Sequence, residues 1–257
     1  MADCPQLSII IPVFNEAKIL QKSPTQNTRE YLGQFSQDQR IEILIVDGGS
    51  QDNTVELCQT YADCLPLQVF RSPQPGRANQ INYGASLAKG EWLLFLHLDS
   101  ILPDDFFTQI AQILTNANYI AGAFGLTIDL PGRPYRWLEK LILWRSIYAQ
   151  KPYGDQGLFI RQQDFQRLGG FADLPIMEDY QFMQKLKKQR GKVAIAGGKV
   201  ITSGRRWQKL GLLRTTAINQ LVVAGYHLGV SPQTLVHWYR GAKPNRGNRP
   251  NSDGTSC

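Results

Sequence analysis

The first half of the chain alternates short apolar runs with stretches of helical spacing. Four runs have the length of a strand and are each followed by a polar turn: LSIIIPVF, IEILIVD, LPLQVF and EWLLFLHLD. The segments QDNTVELCQTYADC and GRANQINYGASLAKG between them repeat apolar residues at the helical period. Apolar strands that alternate with helices predict an α/β fold with a Rossmann-like, mainly parallel sheet covered on both faces.

Ligands of such sheets bind outside the carboxyl ends of the strands, so the residues that follow each strand are the candidate site. The first, second and fourth apolar runs lead into Pro12, Phe14 and Glu16, into Asp47 and Gly48, and into His97 and Asp99. Asp52, a little further on, is as well explained as a helix cap. Side chains alternate along a strand, which predicts that His97 and Asp99 point to the same face and can share one ligand.

The second half, after residue 130, is more aromatic and more basic. A helix is predicted over 134–149, rich in Trp, Tyr, Leu and Arg, whose composition suits a membrane interface. Packing of this helix over the sheet is the alternative that we favour. A second helix is predicted to open at Glu178 and Asp179, where acidic residues also complement the helix dipole. The end of the chain, 241–257, is poor in apolar residues and is predicted to be a disordered basic tail.

Composition narrows the function only a little. The 257 residues are 42% apolar and 19% charged, which is ordinary for a globular protein. A net charge of +7 favours anionic partners, among them nucleic acids, acidic membranes and phosphorylated small molecules. The sequence has no GxGxxG after a strand, no phosphate-binding P-loop, no zinc-site spacing of its cysteines and no export signal. A soluble, cytoplasmic protein is therefore expected.

Four blocks of sequence resemble one known family. In order along the chain they are SIIIPVFNE, VDGGSQDNT, FLHLDS and GDQGLFIRQQDFQRLGGFADLPIMEDYQF. Over roughly residues 5–240 the chain resembles the family-2 glycosyltransferases of the GT-A fold. The sequence His97-Leu98-Asp99 stands where that family has Asp-x-Asp. It is similar in this respect to a bacterial and cyanobacterial subgroup that also carries GRANQ-like and SGRRW-like segments, here at 76–80 and 203–207.

The resemblance implies a single GT-A domain over 1–240. Its nucleotide-binding half would span about 5–130 and its acceptor half about 131–240, with a C-terminal helical acceptor-side region. The implied activity is an inverting, metal-dependent, hexosyltransferase-like transfer of a sugar from a nucleotide-diphosphate sugar to an unidentified hydroxyl acceptor. No nucleic-acid partner is implied. The protein would be cytoplasmic, with peripheral membrane contact left open.

The resemblance also implies a divalent cation, Mn2+ or Mg2+, at the third block. Asp99 would bind the metal that bridges the donor diphosphate. His97 would ligate the metal, bond the ribose or support a phosphate, or else be an ordinary satisfied histidine at a strand end. Imidazole suits manganese better than magnesium, which prefers oxygen ligands.

Further donor contacts are implied at the strand ends and at the helix that follows the third strand. Asp47 would contact the nucleotide base and Glu16 the ribose or base. The other implied donor-site residues are Pro12, Phe14, Gly48, Arg77 and Asn82. Arg77 opens a helix, a natural place for anion contacts, although a surface arginine would look the same in sequence.

The acceptor side carries the implied catalytic base, Asp179, paired with Glu178. Other residues implied there, for acceptor or phosphate contacts, are Gly154, Asp155, Gln156, Arg205, Arg206 and Trp207. Arginine can clamp phosphate and tryptophan can stack on a sugar ring. The Gln-x-x-Arg-Trp spacing of processive relatives is absent, so no processivity is assigned.

Two other functions remain as alternatives. A sugar nucleotidyltransferase of similar fold would show a Gly-rich, Arg-Lys phosphate loop after the first strand, where this chain has PVFNEAKI. A catalytically silent protein that binds nucleotides or a membrane surface through its basic face is the alternative outside enzymes.

Overall fold

The computed structural model describes residues 5–21, 32, 34–35, 38–189 and 192–240. The predicted basic tail, 241–257, lies outside the described residues. The strands are β1 Leu7–Val13, β2 Ile41–Asp47, β3 Leu67–Arg71, β4 Trp92–Phe95, β5 Ser100–Ile101, β6 Tyr119–Asp129, β7 Leu158–Arg161 and β8 Lys192–Ser203. The helices are α1 Ala17–Leu20, α2 Thr54–Gln59, α3 Arg77–Leu87, α4 Phe106–Leu114, α5 Arg133–Tyr148, α6 Gln162–Arg167, α7 Glu178–Lys188, α8 Arg205–Leu210, α9 Leu212–His227 and α10 Pro232–Arg240, with a 3-10 turn at Gly154–Gln156.

The described strands form one sheet in the order β3-β2-β1-β4-β7-β6-β8-β5. β3, β2, β1 and β4 are parallel, and β6 and β8 are parallel to each other. β7 runs antiparallel between β4 and β6, and β5 pairs antiparallel with β8 at the edge. The predicted mainly parallel α/β sheet is confirmed, and β7 is the strand that joins its two parallel parts.

Apolar layers cover both faces of the sheet. Ile9 and Ile11 of β1 belong to one buried cluster, which includes Ile110 of α4. Ile10 between them belongs to a second cluster, with Ile81 of α3 and residues of α7. All three isoleucines are at most 1% exposed, which explains why β1 reads as an unbroken apolar run rather than as an alternating one.

The fourth apolar run behaves differently from the prediction. β4 ends at Phe95, and residues 97–100 form a turn closed by a hydrogen bond from Ser100 N–H to the His97 carbonyl, 3.2 Å. The expectation that His97 and Asp99 share a strand face was therefore wrong, because these residues are not in a strand. Leu98 between them is only 5% exposed, and its burial keeps the run apolar past the strand end.

The predicted helix over 134–149 is present as α5. One face packs on β6, where the buried Glu139 carboxylate accepts the Ile128 N–H at 2.7 Å. The opposite face is exposed and carries large apolar side chains, which packing over the sheet alone does not explain. No helix within the described residues has both the length and the apolar character needed to cross a membrane.

Candidate active site at the carboxyl ends of the strands

A cavity of about 560 Å³ opens where the first two strands end. Seven residues expected at the site line it: Phe14, Gly48, Arg77, His97, Asp155, Glu178 and Asp179. They come from loops after β1, β2 and β4, from the start of α3, from the 3-10 turn and from the start of α7. The parallel half of the sheet and the segments around α7 therefore meet at one site.

Hydrogen bonds fix the loops after β1 and β2 to each other. The Asn15 amide oxygen accepts the Gln51 N–H, and the Ser50 hydroxyl oxygen accepts the Asn15 N–H, both at 2.9 Å. Asn15 has a φ of 54°, a left-handed conformation that asparagine tolerates better than most residues. Asp47 is 2% exposed and accepts the Gly49 and Ser50 N–H groups at 3.0 and 3.1 Å. The Asp47 carboxylate thus holds the turn that follows β2.

Gln80 of α3 connects that helix to the same two strands. Its amide nitrogen donates to the Val13 and Val46 carbonyls at 2.8 and 2.7 Å, at the carboxyl ends of these strands. A Cβ on Gly48 would lie 2.9 Å from the Gln80 side chain. Glycine at position 48 is needed for this close approach, and the approach sets the position of α3 and of Arg77 at its start.

Burial leaves the His97 ring neutral. Its Nε2 is buried and has no hydrogen-bond partner among the described residues. Burial, followed by the nearby Arg77 guanidinium, holds the pKa of His97 well below its ordinary 6.5. In the tautomer with its proton on Nδ1, the Nε2 of a neutral imidazole accepts a hydrogen bond or binds a metal.

Asp99 belongs to a second charged group and is not among the residues that line the cavity. Its Oδ2 accepts a hydrogen bond from Arg205 Nη2 at 2.7 Å, with the side chains 19% and 47% exposed. Glu16 belongs to this group, since burial raises its pKa, Arg205 opposes the rise and Asp99 adds to it. The three side chains form an acidic–basic cluster beside the cavity, which we call the Asp99 cluster.

Arg77 and Glu178 form the charged pair inside the cavity. Arg77 Nη1 lies 3.5 Å from Glu178 Oε1, and the Glu178 side chain is only 6% exposed. Burial raises the pKa of Glu178, Arg77 lowers it in part, and neighbouring Asp179 raises it. The residue before this helix, Met177, has a φ of 69°. Such a conformation costs about 1 kcal/mol or more in a residue with a side chain, and it turns the chain sharply into α7.

Backbone hydrogen bonds hold the Asp179 carboxylate at the cavity wall. Oδ2 accepts the Gly154 N–H at 2.8 Å and Oδ1 accepts the Tyr180 N–H at 2.7 Å. A Cβ on Gly154 would lie 2.5 Å from Arg77 Nη2 and 3.1 Å from Asp179 Oδ2. Glycine 154 therefore allows the 3-10 turn, Arg77 and Asp179 to come together.

Asp155 adds a third carboxyl to this part of the cavity. Its Oδ1 is buried and has no hydrogen-bond partner among the described residues. Burial raises the pKa of Asp155, the Arg145 guanidinium opposes this, and Asp179 raises it further. We call Arg77, Asp155, Glu178 and Asp179 the Asp179 cluster.

Several expected site residues lie outside the cavity and hold its framework. Asn82 pairs with the Phe171 backbone, donating to its carbonyl at 2.8 Å and accepting its N–H at 2.9 Å. Gln156 is fully buried, donates to the Phe124 carbonyl and accepts the Tyr153 N–H. Direct contact of either amide with a ligand was expected, and the structure gives each a structural position instead. Pro12, Gly154, Arg206 and Trp207 are also absent from the residues that line the cavity.

The sequence prediction missed the apolar side of the cavity. The cavity is also lined by residues of the α7 approach, α9 and α10: Pro175, Ile176, Met177, Asn219, Val222, Val223, Val236, Tyr239 and Arg240. Arg206, whose role was expected to be phosphate or acceptor contact, stacks its guanidinium 3.6 Å from the centre of the Tyr239 ring. No local pattern marks these residues, because only tertiary packing brings α9 and α10 to the site.

Metal-binding side chains are sparse among the described residues of the site. No three residues of the His, Cys, Asp or Glu type within them converge closely enough to hold a metal by themselves. His97 Nε2 is available, whereas Asp99 is paired with Arg205. His97 Nε2 and the Asp99 carboxylate are at most two protein ligands, so a metal held by them would need further ligands, such as the oxygens of a bound diphosphate.

Comparison with known sequences gives a family match for most of the chain. The sequence profile described as "Glycosyl transferase family 2" matches residues 8–169. A "PGL/p-HBAD biosynthesis glycosyltransferase" of Mycobacterium bovis is 31% identical over 163 residues, 60% of this chain and 61% of the relative. An uncharacterized glycosyltransferase of Haemophilus influenzae is 29% identical over 195 residues, 71% of this chain and 62% of the relative. The chain thus spans about three fifths of the length of these relatives.

Solved structures share the fold at low sequence identity. Staphylococcus aureus TarS 1–349 superposes with a TM-score of 0.60 at 16% identity, over 94% of this chain and 74% of TarS. Another structure is a mannosyltransferase of Pyrobaculum calidifontis in complex with GDP-Man and Mn2+. It superposes with a TM-score of 0.63 at 20% identity, over 92% of this chain and 69% of its own. The likeness confirms the expected GT-A fold.

Proposed function

The chain belongs to glycosyl transferase family 2, and we propose that it transfers a sugar from a nucleotide-diphosphate sugar to an acceptor hydroxyl with inversion at the anomeric carbon. The observation that carries the proposal is the Asp179 cluster. A carboxylate, held by two backbone N–H groups, shares one cavity with a partly exposed arginine and an open histidine nitrogen. A base for the acceptor and positive charge for the leaving group are the two requirements of the reaction.

Asp179 is the proposed general base. In a single displacement the acceptor oxygen bonds to the anomeric carbon as its proton passes to the Asp179 carboxylate. The bond from that carbon to the diphosphate oxygen breaks, and the nucleoside diphosphate leaves with the electron pair. The N–H groups of Gly154 and Tyr180 hold the carboxylate in place, and Glu178 positions the same helix start through Arg77. One displacement from the opposite side gives inversion.

Positive charge is the second requirement, because the leaving diphosphate gains negative charge in the transition state. Arg77 begins α3, lines the cavity and is 34% exposed, so its guanidinium and the helix N-terminus face the same space. A divalent cation, when bound, would stabilise the leaving group as a Lewis acid. Asp99 and His97 would hold this Mn2+ or Mg2+, and Arg205 would then pass from Asp99 to a phosphate oxygen.

The donor would lie over the loops after β1 and β2. Phe14, 56% exposed, offers a ring to the nucleotide, and Gly48 allows close approach to the backbone. Glu16 and Asp47 would contact the ribose and base. Support comes from the structural neighbours, since TarS has been captured with UDP-GlcNAc and the mannosyltransferase with GDP-Man and Mn2+.

The acceptor would enter beside α9 and α10, where Val222 and Tyr239 line the cavity. Gly154 and Asp155 lie next to Asp179, and Arg206, beside Trp207 in α8, supports the wall through Tyr239. The apolar character of this side suits an acceptor that carries an apolar group next to its hydroxyl.

The test is a screen for thermal stabilisation by nucleoside diphosphates and sugar nucleotides, each with and without Mn2+ or Mg2+. A true donor stabilises the fold in proportion to its affinity. The donor found is then incubated with a panel of alcohols, and the anomeric configuration of the product is read by NMR. A product of inverted configuration supports the proposal. Stabilisation by nucleotide without turnover would favour the silent nucleotide binder, and formation of pyrophosphate from a nucleoside triphosphate would favour the nucleotidyltransferase.

A further inference from the structure

The exposed face of α5 has more apolar surface than a solvated helix needs. Trp137, Leu141, Trp144 and Tyr148 follow one another at helical spacing, with exposures of 65, 62, 61 and 72%. Ile147 beside them is 42% exposed. We call these five residues the α5 apolar face. Single exposed apolar residues are common, but a contiguous group of this kind marks an interaction surface.

The exposed charged residues of α5 are all basic. Arg133, Arg136 and Lys140 are exposed and lie beside the apolar face. The acidic residue of the helix, Glu139, is 6% exposed and is used inside the fold, where it pairs with Arg136. Lys140 Nζ lies 5.3 Å from the centre of the Trp137 ring, so cation and indole form one continuous surface.

We infer that the α5 apolar face, with Arg133 and Lys140, docks the protein on an anionic lipid bilayer surface. Tryptophan and tyrosine combine an apolar ring with a polar atom and are favoured at the boundary between acyl chains and headgroups. Adjacent cations gain about 1 kcal/mol each near an anionic membrane. The net charge of +7 adds a long-range attraction to the same surface.

A second copy of the chain is a poorer occupant than a membrane. A two-fold contact would bring the same basic helix from each copy together, and neither copy has an exposed acidic residue on this helix. The like charges would repel, whereas an anionic bilayer matches both the apolar and the basic parts.

The docking surface also lies next to the cavity. Arg145, one residue after Trp144, stacks its guanidinium 3.6 Å from the centre of the Tyr153 ring, and Tyr153 lines the cavity. Docking through α5 would therefore bring the cavity close to the bilayer. This inference concerns binding alone and stands whether or not the proposed sugar transfer is correct.

The experiment is flotation of the full chain with two kinds of vesicle, one of phosphatidylcholine alone and one with part of it replaced by phosphatidylglycerol. We expect binding to the anionic vesicles, much weaker binding to the neutral ones, and release by salt. The double variant Trp137→Ser/Trp144→Ser should bind the anionic vesicles at least about tenfold more weakly than the wild type. A tenfold loss corresponds to only about 1.4 kcal/mol of binding free energy. Leu228→Ser, which truncates a side chain that is 83% exposed on a different segment, is the matched control and should bind normally.

Two double charge-reversal variants distinguish docking through α5 from nonspecific attraction by the net positive charge of the protein. Arg133→Glu/Lys140→Glu should lose the preference for anionic vesicles, whereas Lys187→Glu/Lys188→Glu on α7, with the same change in net charge, should keep most of it. Thermal unfolding and light scattering check that each variant is folded and monomeric. Equal binding of the two charge-reversal variants to anionic vesicles would overturn the inference. So would a wild-type protein that binds neither kind of vesicle. A dimer that the Trp137→Ser/Trp144→Ser variant abolishes would assign the face to self-association instead.

Discussion

The two arginine–carboxylate pairs near the cavity differ in distance and in burial. Arg205 and Asp99 are 2.7 Å apart, but their side chains are 47% and 19% exposed. Arg77 and Glu178 are 3.5 Å apart, and Glu178 is 6% exposed. Water screens the shorter contact, so it is worth about 1 kcal/mol or less. The longer contact compensates a carboxylate that has lost its water, which makes it the more costly of the two to break.

This difference suggests different uses for the two clusters. The Asp99 cluster can exchange its internal pair for a cation or a phosphate with little change in stability. The Asp179 cluster is fixed by buried charge, by the Gly154 N–H and by the sharp turn before α7. We therefore assign exchangeable donor contacts to the first cluster and fixed proton transfer to the second.

The largest effect is expected from Asp179→Asn. The amide oxygen can still accept the Gly154 N–H, so the fold should persist, but the group can no longer take a proton. Sugar transfer should fall by about two to four orders of magnitude, while nucleotide affinity, measured by calorimetry, stays unchanged. Asp104→Asn, an exposed carboxylate outside the cavity lining, is the control. Near-normal turnover of Asp179→Asn would remove this residue from the role of base.

Removal of each arginine compares the two pairs directly. Arg77→Ala leaves the buried Glu178 carboxylate without its cation and should lower the free energy of unfolding by about 3 kcal/mol. Arg205→Ala should cost about 1 kcal/mol or less. Urea denaturation at neutral pH measures both. If the two losses are equal, the contrast between a fixed and an exchangeable cluster is wrong.

The parallel half of this fold was predictable because its strands are buried on both faces. β1 and β2 are unbroken apolar runs, and Phe14 and Gly48 just beyond them line the cavity as expected, whereas Glu16 and Asp47 do not. β6 and β7 were not predicted. The β6 sequence YIAGAFGLTID contains two glycines and a shift in register between Ala123 and Gly125, so its pattern is weak. The antiparallel insertion of β7 depends on pairing partners far away in sequence.

The chemistry of the site was also predictable in part. The family resemblance implied Arg77, His97, Glu178 and Asp179 as site residues, and all four line the cavity. Asn82 looked the same in sequence but turns its amide to the Phe171 backbone. Only the packed structure decides whether a polar side chain serves the backbone or faces the cavity.

A pH-dependent effect is expected at Asp155. Its pKa is raised in the folded protein, mainly by burial. The folded state therefore holds the proton more tightly than the unfolded state, and the stability that this contributes is present below the ordinary pKa of 3.8 and lost as the pH rises through the folded pKa. Asp155→Asn lacks this loss, so its stability relative to the wild type should increase from acidic towards neutral pH. Denaturation curves across that range measure it, with exposed Asp63→Asn as the control. A difference that does not change with pH would contradict buried titration at Asp155.

The smallest effect is expected from His97→Asp, which restores the usual acidic pattern of the family. Imidazole favours manganese, whereas a carboxylate oxygen suits magnesium. If His97 Nε2 binds the metal, this variant should lower the transfer rate with Mn2+ relative to the rate with Mg2+. We expect the ratio of the two rates to fall several-fold, which is less than the tenfold that corresponds to about 1.4 kcal/mol. Initial rates with each cation measure the ratio, and His237→Asp, an exposed histidine of α10, is the matched control. An unchanged ratio with weaker donor binding would assign His97 to the ribose or a phosphate, which would leave Asp99 as the metal ligand of an exchangeable cluster.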